Sequence, residues 1–484
     1  MSDNVEVNEV KKAAVKNISY NLVGKIVTSI IQFAGNIFIT RLLVASDFGI
    51  YSFASIINNL LLSFNDFGIN PALIQKKDIN EKELNTGFLI KICLGCIIAL
   101  LAIILAPFAA NFIDNKAIVN VIRVCSINFI LSAFWLVPSV LLVRDGQFII
   151  INKISVYATI LTTVCSVLLA YNGYGYWSLV LPTLINTVIL VVMYNLWKPF
   201  KFNISYDRVF ASYIFKFGSS VFLSKVIIQV LISSDNFIVG YIAGSAKLGY
   251  YALAFNWSSM LCGIAYTSIQ TVIFPTFSKY QDDLNFIKQG YIKLIKYSAL
   301  LGALSYVTLF VISRDFLVGI LGSGSDKWIE SLPCLRIFCF YGFIRMILEP
   351  FVSICMAIGK PDIVLKANIT AVIFQSLLLY PAVSIYGLEG AAIVVTIAIL
   401  IQYAVYSSIV YKTLKISITD ISKVVYPVII LIPITAITYS DTLWNYNLTN
   451  MLLKIVITIT LCIYIHGKIT RWELEKELYR MINK

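Results

Sequence analysis

The chain has 484 residues, 59% of them hydrophobic and 13% charged, with a formal net charge of +13. A soluble domain usually carries about 25% charged and about 45–50% apolar residues, so this composition describes an integral membrane protein and excludes an ordinary soluble enzyme. Nucleic-acid binding is set aside because the basic residues fall in short loops between apolar segments. One histidine, His466, and nine cysteines without framework or ligand spacing argue against a zinc centre, a catalytic triad or a disulfide scaffold. Cys93-Leu94-Gly95-Cys96 has redox spacing but lies inside an apolar helix, where cysteine is a packing residue.

In chain order, residues 1–16 are polar and lack the apolar core of a signal peptide, and are expected to form a cytoplasmic N-terminal segment. About fourteen transmembrane helices follow, centred near residues 31, 55, 100, 129, 162, 186, 229, 259, 305, 343, 374, 400, 430 and 458. Segments 92–113 and 154–197 contain no Asp, Glu, Lys or Arg. The second is too long for one span and breaks at Tyr171-Asn172-Gly173-Tyr174-Gly175 into two of about 20 residues. Alternate loops are basic, with Lys76 and Lys82, Arg144 and Lys153, Lys198 and Lys201, Lys279 and Lys288, and Lys412 and Lys415 on one side. The opposite loops hold little beyond Arg41, Lys116, Lys247, Arg314 and Lys327. The positive-inside rule therefore places both termini in the cytoplasm. No loop is long enough for a soluble catalytic module. The tail, 467–484, reads equally as an interfacial amphipathic helix or a solvated end.

Residues 24–55 and 224–255 align without a gap at an offset of 200. Lys25 meets Lys225, Asn36 meets Asn236, and Gly49-Ile50-Tyr51 meets Gly249-Tyr250-Tyr251. Further anchors, Arg123 with Arg336, Pro138 with Pro350 and Tyr174-Gly175 with Tyr386-Gly387, extend the repeat at offsets of 212–213. Spans one to six thus correspond to seven to twelve, and six is even, so the copies are parallel. A duplicated hydrophobic half with polar residues repeated at one depth is how secondary carriers build a central site. The expected organisation is a first six-helix lobe over 17–197, a linker over 198–212, a second lobe over 213–413, and spans thirteen and fourteen over 414–466.

Local words sharpen this all-α, six-plus-six-plus-two plan. Thr40-Arg41-Leu42-Leu43 with Ser46-Asp47-Phe48-Gly49-Ile50-Tyr51, and Ser233-Ser234-Asp235-Asn236 with Leu248-Gly249-Tyr250-Tyr251-Ala252, resemble signatures of bacterial polysaccharide flippases. The chain resembles the Wzx/WzxC-like branch of the multidrug/oligosaccharidyl-lipid/polysaccharide exporter superfamily over nearly its whole length. The resemblance implies a V-shaped exporter in the bacterial cytoplasmic membrane. Its implied activity is flipping undecaprenyl-diphosphate-linked oligosaccharide units to the outer leaflet by alternating access. It also implies a monomer without cofactor, driven by a proton or sodium gradient, with membrane lipids and the polysaccharide polymerase and chain-length machinery as neighbours.

Flipping breaks no bond; the barrier is electrostatic, a diphosphate and a glycan crossing about 30 Å of hydrocarbon. Ionisable residues within spans are costly and tend to face the cavity that lowers that barrier. Lys25 and Lys225, about two turns into spans one and seven, form the candidate two-sided diphosphate site; the alternative is that both snorkel to headgroups. Asn36 and Asn236 are cavity-lining hydrogen-bonders or interhelical packing. Arg345 is a candidate phosphate grip with Glu349 at i+4 as positioner or proton partner, or a self-neutralising pair. Asp235, facing Gly35 in the repeat, is the candidate ion-coupling carboxylate, with Glu349 second. Asp66 is read as a gate or as a helix-end polar residue.

Three other readings stand beside this one. A lipid-linked peptidoglycan-precursor flippase shares the helix plan but not the local words. A small-molecule multidrug exporter would favour acidic cavity residues. A membrane polymerase would need a large outer loop that this chain lacks.

Overall fold

The computed structural model describes residues 23–76, 78–279, 283–357, 361–414 and 448–469, and among these there is no strand. The N-terminal segment 1–16, the span centred near residue 430 and most of the 467–484 tail lie outside the described residues. The other thirteen expected spans fall on helices. They are α1 (Val23–Leu42), α2 (Ala45–Asp66), α3 (Glu81–Ile113), α4 (Ala117–Leu131 and Ala133–Arg144, bent by 46°), α5 (Phe148–Tyr171) and α6 (Trp177–Trp197). Arg208–Lys279 is divided at Gly244 into α7 (208–243) and α8 (245–279). α9 (Leu284–Val311) and α10 (Leu332–Ala357) follow. Pro361–Leu414 is divided at Gly387 into α11 (361–386) and α12 (388–414), and α13 (Leu448–Ile469) is the fourteenth expected span. Gly244 has φ 82° and Gly387 φ 59°, a region that side chains with a Cβ rarely enter, so each chain reversal sits on the residue that tolerates it.

The chain forms two compact units, residues 1–252 and 253–484. The first contains α1–α7 and the opening turns of α8. At one end of it, the α1–α2 corner is fixed by Asp47, whose carboxylate accepts the Val44 N–H at 3.2 Å and the Tyr176 N–H at 3.1 Å. One acidic side chain therefore satisfies orphan donors at the α2 start and in the α5–α6 turn. The repeat-matched glycines lie at the same end. A Cβ on Gly49 would fall 1.6 Å from the Ser245 carbonyl oxygen, and one on Gly249 would fall 1.8 Å from that of Ala45. Ala45 and Ser245 are themselves repeat partners at the offset of 200. The two copies thus cross reciprocally, backbone on backbone, as small residues allow in a medium without a hydrophobic driving force.

From that crossing α2 and α7 run together along a ladder of phenylalanines. Phe53 stacks on Phe237 with centroids 5.7 Å apart. Further along, Phe222 meets Phe64 at 4.8 Å and Phe67 at 5.1 Å, and Phe215 meets Phe67 at 5.6 Å. α2 ends where Phe67 and Gly68 take positive φ, leading into a short helix, Ile69–Gln75. That helix, the start of α3, the second half of α4 and the start of α7 share a buried core that includes Leu73, Phe88, Val137, Phe210 and Ile214. Arg144 donates to the carbonyls of Leu73 at 3.0 Å and Ile74 at 3.2 Å, placing a cation on the short helix's C-terminal carbonyls.

Residues 199–207 are non-helical and dock on α3, where Asn203 N–H donates to Asn85 and Asp207 N–H to the Thr86 hydroxyl. Asp207 also accepts the Phe210 N–H at 3.0 Å, which holds its carboxyl below the usual carboxylate range. Because α7 already starts at Arg208, Lys225 lies about 26 Å along it, further from the helix start than the two turns expected, although the apolar span itself begins at Lys225. The extra turns are those that pack into the shared core.

In the second unit α9 packs on α10 and on α13, and α10 packs on the α11–α12 stretch. Tyr306 donates to the Ser258 carbonyl at 2.9 Å and Ser258 to the Phe338 carbonyl at 2.6 Å, stitching α8, α9 and α10. Between α9 and α10 the chain forms a π-helical turn, Phe316–Leu321, and a 3-10 turn, Asp326–Ser331. Lys454 of α13 bonds Asp315 at 2.6 Å, with the two side chains 14% and 8% exposed. α13 therefore starts at the same end of the unit as the α9–α10 connection, as the expected threading requires.

The glycine crossing gives a direct test. Gly49→Ala and Gly249→Ala each force the backbones apart and should destabilise the protein by about 1–3 kcal/mol. Gly263→Ala, whose Cβ meets nothing within 4 Å, should be neutral or slightly stabilising. Thermal unfolding in detergent measures all three.

Candidate functional site

Three clusters of charged residues stand out within the spans. The first lies where α2, α3 and α7 meet. Lys225 on α7 forms an ion pair with Asp66, the last residue of α2; their side chains are 40% and 28% exposed. Behind them Lys91 of α3 is only 5% exposed. Its ammonium donates to the Asn65 carbonyl at 3.0 Å, and Asp66 and Lys225 are the charges that act on it. Asn65, fully buried, donates through Nδ2 to the Phe129 carbonyl and the Ser132 hydroxyl, which anchors this corner to α4. The cluster carries two ammonium groups and one carboxylate.

The close fit of α7 on the end of α2 explains why these side chains meet. A Cβ on Gly218 would fall 2.1 Å from the Phe67 carbonyl oxygen, so only glycine lets α7 approach there. Lys225 follows two turns later and comes level with Asp66. Measured from the other end, Lys225 is twenty residues from Ser245, roughly 30 Å by helical rise. The glycine crossing and the cation cluster therefore lie about a hydrocarbon thickness apart.

The second cluster surrounds Asp235, on α7 between these two ends. Asp235 is 2% exposed and accepts hydrogen bonds from the Tyr251 hydroxyl at 2.8 Å and from Asn236 Nδ2 at 3.2 Å. No cation among the described residues pairs with it, and Lys225 turns to Asp66 instead. The repeat position in α1, Gly35, would place a Cβ 2.2 Å from the Thr163 methyl on α5. There is no space for a second carboxylate, so the asymmetry between copies has a steric cause.

The third cluster belongs to the second unit. Arg345 donates from Nε to Glu349 at 3.1 Å and from Nη1 to the Tyr341 hydroxyl at 3.1 Å. Both members are partly buried, at 33% and 12%. The guanidinium is thereby neutralised and oriented within one helix face.

Of the expected site residues, Asn236 is brought to Asp235, and Arg345 to Glu349. Lys225 is brought to Asp66. Lys25 and Asn36 lie exposed on α1, and Lys25 makes no ion pair among the described residues. Lys91 was not among the candidates. It sits at the edge of the uncharged stretch 92–113, and that position reads as a helix boundary until α3 is seen to begin ten residues earlier, at Glu81. The bond of Tyr251 to Asp235 spans sixteen residues and the Gly244 reversal, so no local pattern announces it.

Comparison with known proteins places this architecture. The fold matches that of "Lipid II flippase MurJ, inward closed conformation", with a TM-score of 0.76 at 15% identity, covering 94% of this chain and 99% of that one. Among the described residues the protein thus has an all-helical fold with several membrane-spanning helices, and it shares that fold with this flippase. Residues 38–333 match the family described as Polysaccharide biosynthesis protein, and the chain belongs to that family. Among its relatives are Lipopolysaccharide biosynthesis protein WzxC of Escherichia coli (strain K12), 24% identical over 77% of this chain and 75% of that one, and the Putative O-antigen transporter of Shigella flexneri, 25% identical over 80% and 95%. The chain is accordingly a Wzx-like transporter of polysaccharide biosynthesis and not an enzyme.

The hydrogen bonding of Asp235 yields a measurable consequence. Tyr251→Phe leaves a buried carboxylate short of a donor and should cost about 1–3 kcal/mol of stability. Asp235→Asn keeps an acceptor for Tyr251 and should cost less. Chemical unfolding of both variants in detergent gives the comparison.

Proposed function

We propose that the protein flips undecaprenyl-diphosphate-linked oligosaccharide units from the inner to the outer leaflet of the bacterial cytoplasmic membrane, with both termini cytoplasmic. The observation that carries this reading is the cluster at the end of α2: two lysines stand beside one carboxylate, which pairs with Lys225, and Lys225 and Asp66 are accessible. A half-exposed ammonium with excess positive charge behind it attracts a diphosphate, and lysine binds phosphate as a mobile point charge. Lys25, exposed on α1 and repeat-matched to Lys225, supplies a second cation for the same headgroup. Asn36 and Asn236 add polar contacts, and Arg345, held by Glu349 and Tyr341 within the second unit, is a separate candidate phosphate contact. The sugar is met elsewhere, so the common lipid diphosphate explains lysines shared by both copies.

The asymmetric carboxylate is assigned to coupling. Asp235 is buried and bonded to neutral donors rather than a cation, which suits a group that takes up and releases a proton or sodium ion; Glu349 is second. Membrane lipids surround the protein, which acts as a monomer beside the polymerase and chain-length machinery.

Expression in a bacterium lacking its own flippase, with surface polysaccharide as the readout, tests the substrate reading. Lys225→Ala should lower surface glycan roughly ten- to hundredfold, the value of one charge-assisted contact, and Lys25→Ala/Lys225→Ala should abolish it. Normal glycan from the double variant would refute the lysine site. For coupling, vesicles with an imposed proton or sodium gradient should lose their ion dependence in Asp235→Asn; an unaltered dependence would remove Asp235 from that role.

A further inference from the structure

Two groups in the α2–α3–α7 cluster are not fully used. The Lys91 ammonium has three N–H donors, yet its one acceptor among the described residues is the Asn65 carbonyl. Beside it, Asn65 Oδ1 is buried and accepts no hydrogen bond from the described residues. A cation 5% exposed with no carboxylate against it is expensive to maintain, and such residues are retained where they do something. Asp66, the nearest anion, has instead turned outward to Lys225, where both partners can be reached.

We infer that Asp66 is a built-in occupant of the diphosphate position, which it yields by moving from Lys225 to Lys91 when substrate arrives. This rests on the diphosphate reading above and adds a mechanism and a positioning residue to it. In the empty site Asp66 neutralises Lys225. A diphosphate that takes Lys225 would strand Asp66 as a second anion at close range, and like charges so near repel. Lys91 removes that conflict, since it already holds the carbonyl of the adjacent Asn65 and has donors to spare. Each state then contains one carboxylate–ammonium pair, Asp66–Lys225 when empty and Asp66–Lys91 when loaded. Return of Asp66 to Lys225 expels the headgroup, so binding does not become a trap.

The backbone at Asp66 suits such a movement. The residue ends α2, and the next two, Phe67 at φ 28° and Gly68 at φ 69°, leave the helix at once. Asn65, in contrast, is fixed to α4 by two hydrogen bonds, so the carboxylate can swing about a stationary neighbour.

The test uses the full chain in lipid nanodiscs, with undecaprenyl diphosphate and inorganic pyrophosphate as separate probes of a lipid headgroup and of a free diphosphate. Asp66→Asn removes the competitor and should bind undecaprenyl diphosphate roughly tenfold more tightly, while transport in vesicles falls because release is slowed. Lys91→Gln leaves Asp66 nowhere to go and should bind roughly tenfold more weakly. The double variant Asp66→Asn/Lys91→Gln should recover at least wild-type binding, since no carboxylate then needs rehousing. Asp66→Ser carries the same test if Asp66→Asn does not fold. Unchanged or weakened binding in the Asp66 variants, or no recovery in the double variant, overturns the exchange while leaving the diphosphate site in place. A wild-type protein that binds neither probe overturns the diphosphate reading itself, and the exchange with it. Binding of pyrophosphate alone assigns the cluster to a free anion and overturns the exchange as a transport step.

Discussion

The cation cluster depends on α2 and α7 lying side by side over some 30 Å, and that contact is permitted by glycine. At one end Gly49 and Gly249 each receive a carbonyl oxygen of the other copy, and at the other end Gly218 receives that of Phe67. A methyl group at any of the three would occupy the same space as backbone. In lipid, where apolar surface gains nothing by leaving the solvent, such close packing is the main source of helix association. The phenylalanine ladder fills the interval between the glycines, and the Asp66–Lys225 pair closes its end.

Placing charge at that seam has a consequence for energetics. An isolated ammonium inside a span is costly, and a paired one is held in place by its partner. Lys225 is paired and accessible, while Lys91 is sealed and bonded to the Asn65 carbonyl. Asp235 obeys the opposite logic, since its neighbours are a tyrosine hydroxyl and an asparagine amide, neither of which fixes its charge. The chain therefore separates its lysine cluster from the buried carboxylate of Asp235 along a single helix, α7.

Much of this was legible in the residues. The offset of 200 identified the lysine and asparagine pairs and matched Gly49 to Gly249, because duplication leaves a linear trace. Asp235 and Arg345–Glu349 stood out as charges in apolar surroundings. What escaped was contact across distant segments. Asp66 was weighed as a gate or a helix end, and its partner Lys225 is 159 residues away. Lys91 looked like a boundary residue because hydropathy marks where charge stops, not where a helix starts. The start of α7 is hidden for the same reason, since the helix continues past its apolar stretch, back to Arg208, into a core shared with α3 and α4.

The sequence by itself determined the class of protein, the number and order of spans, and which residues are repeated, since these follow from composition, hydropathy and alignment along one dimension. Only the tertiary structure decided how the charges are paired. Asp66 could have faced solvent, and Lys91 could have snorkelled to the lipid headgroups, with no change in any local pattern. The outcome rests on three close approaches of backbone, at Gly49, Gly249 and Gly218, and a glycine's neighbour through space is not written beside it in the chain.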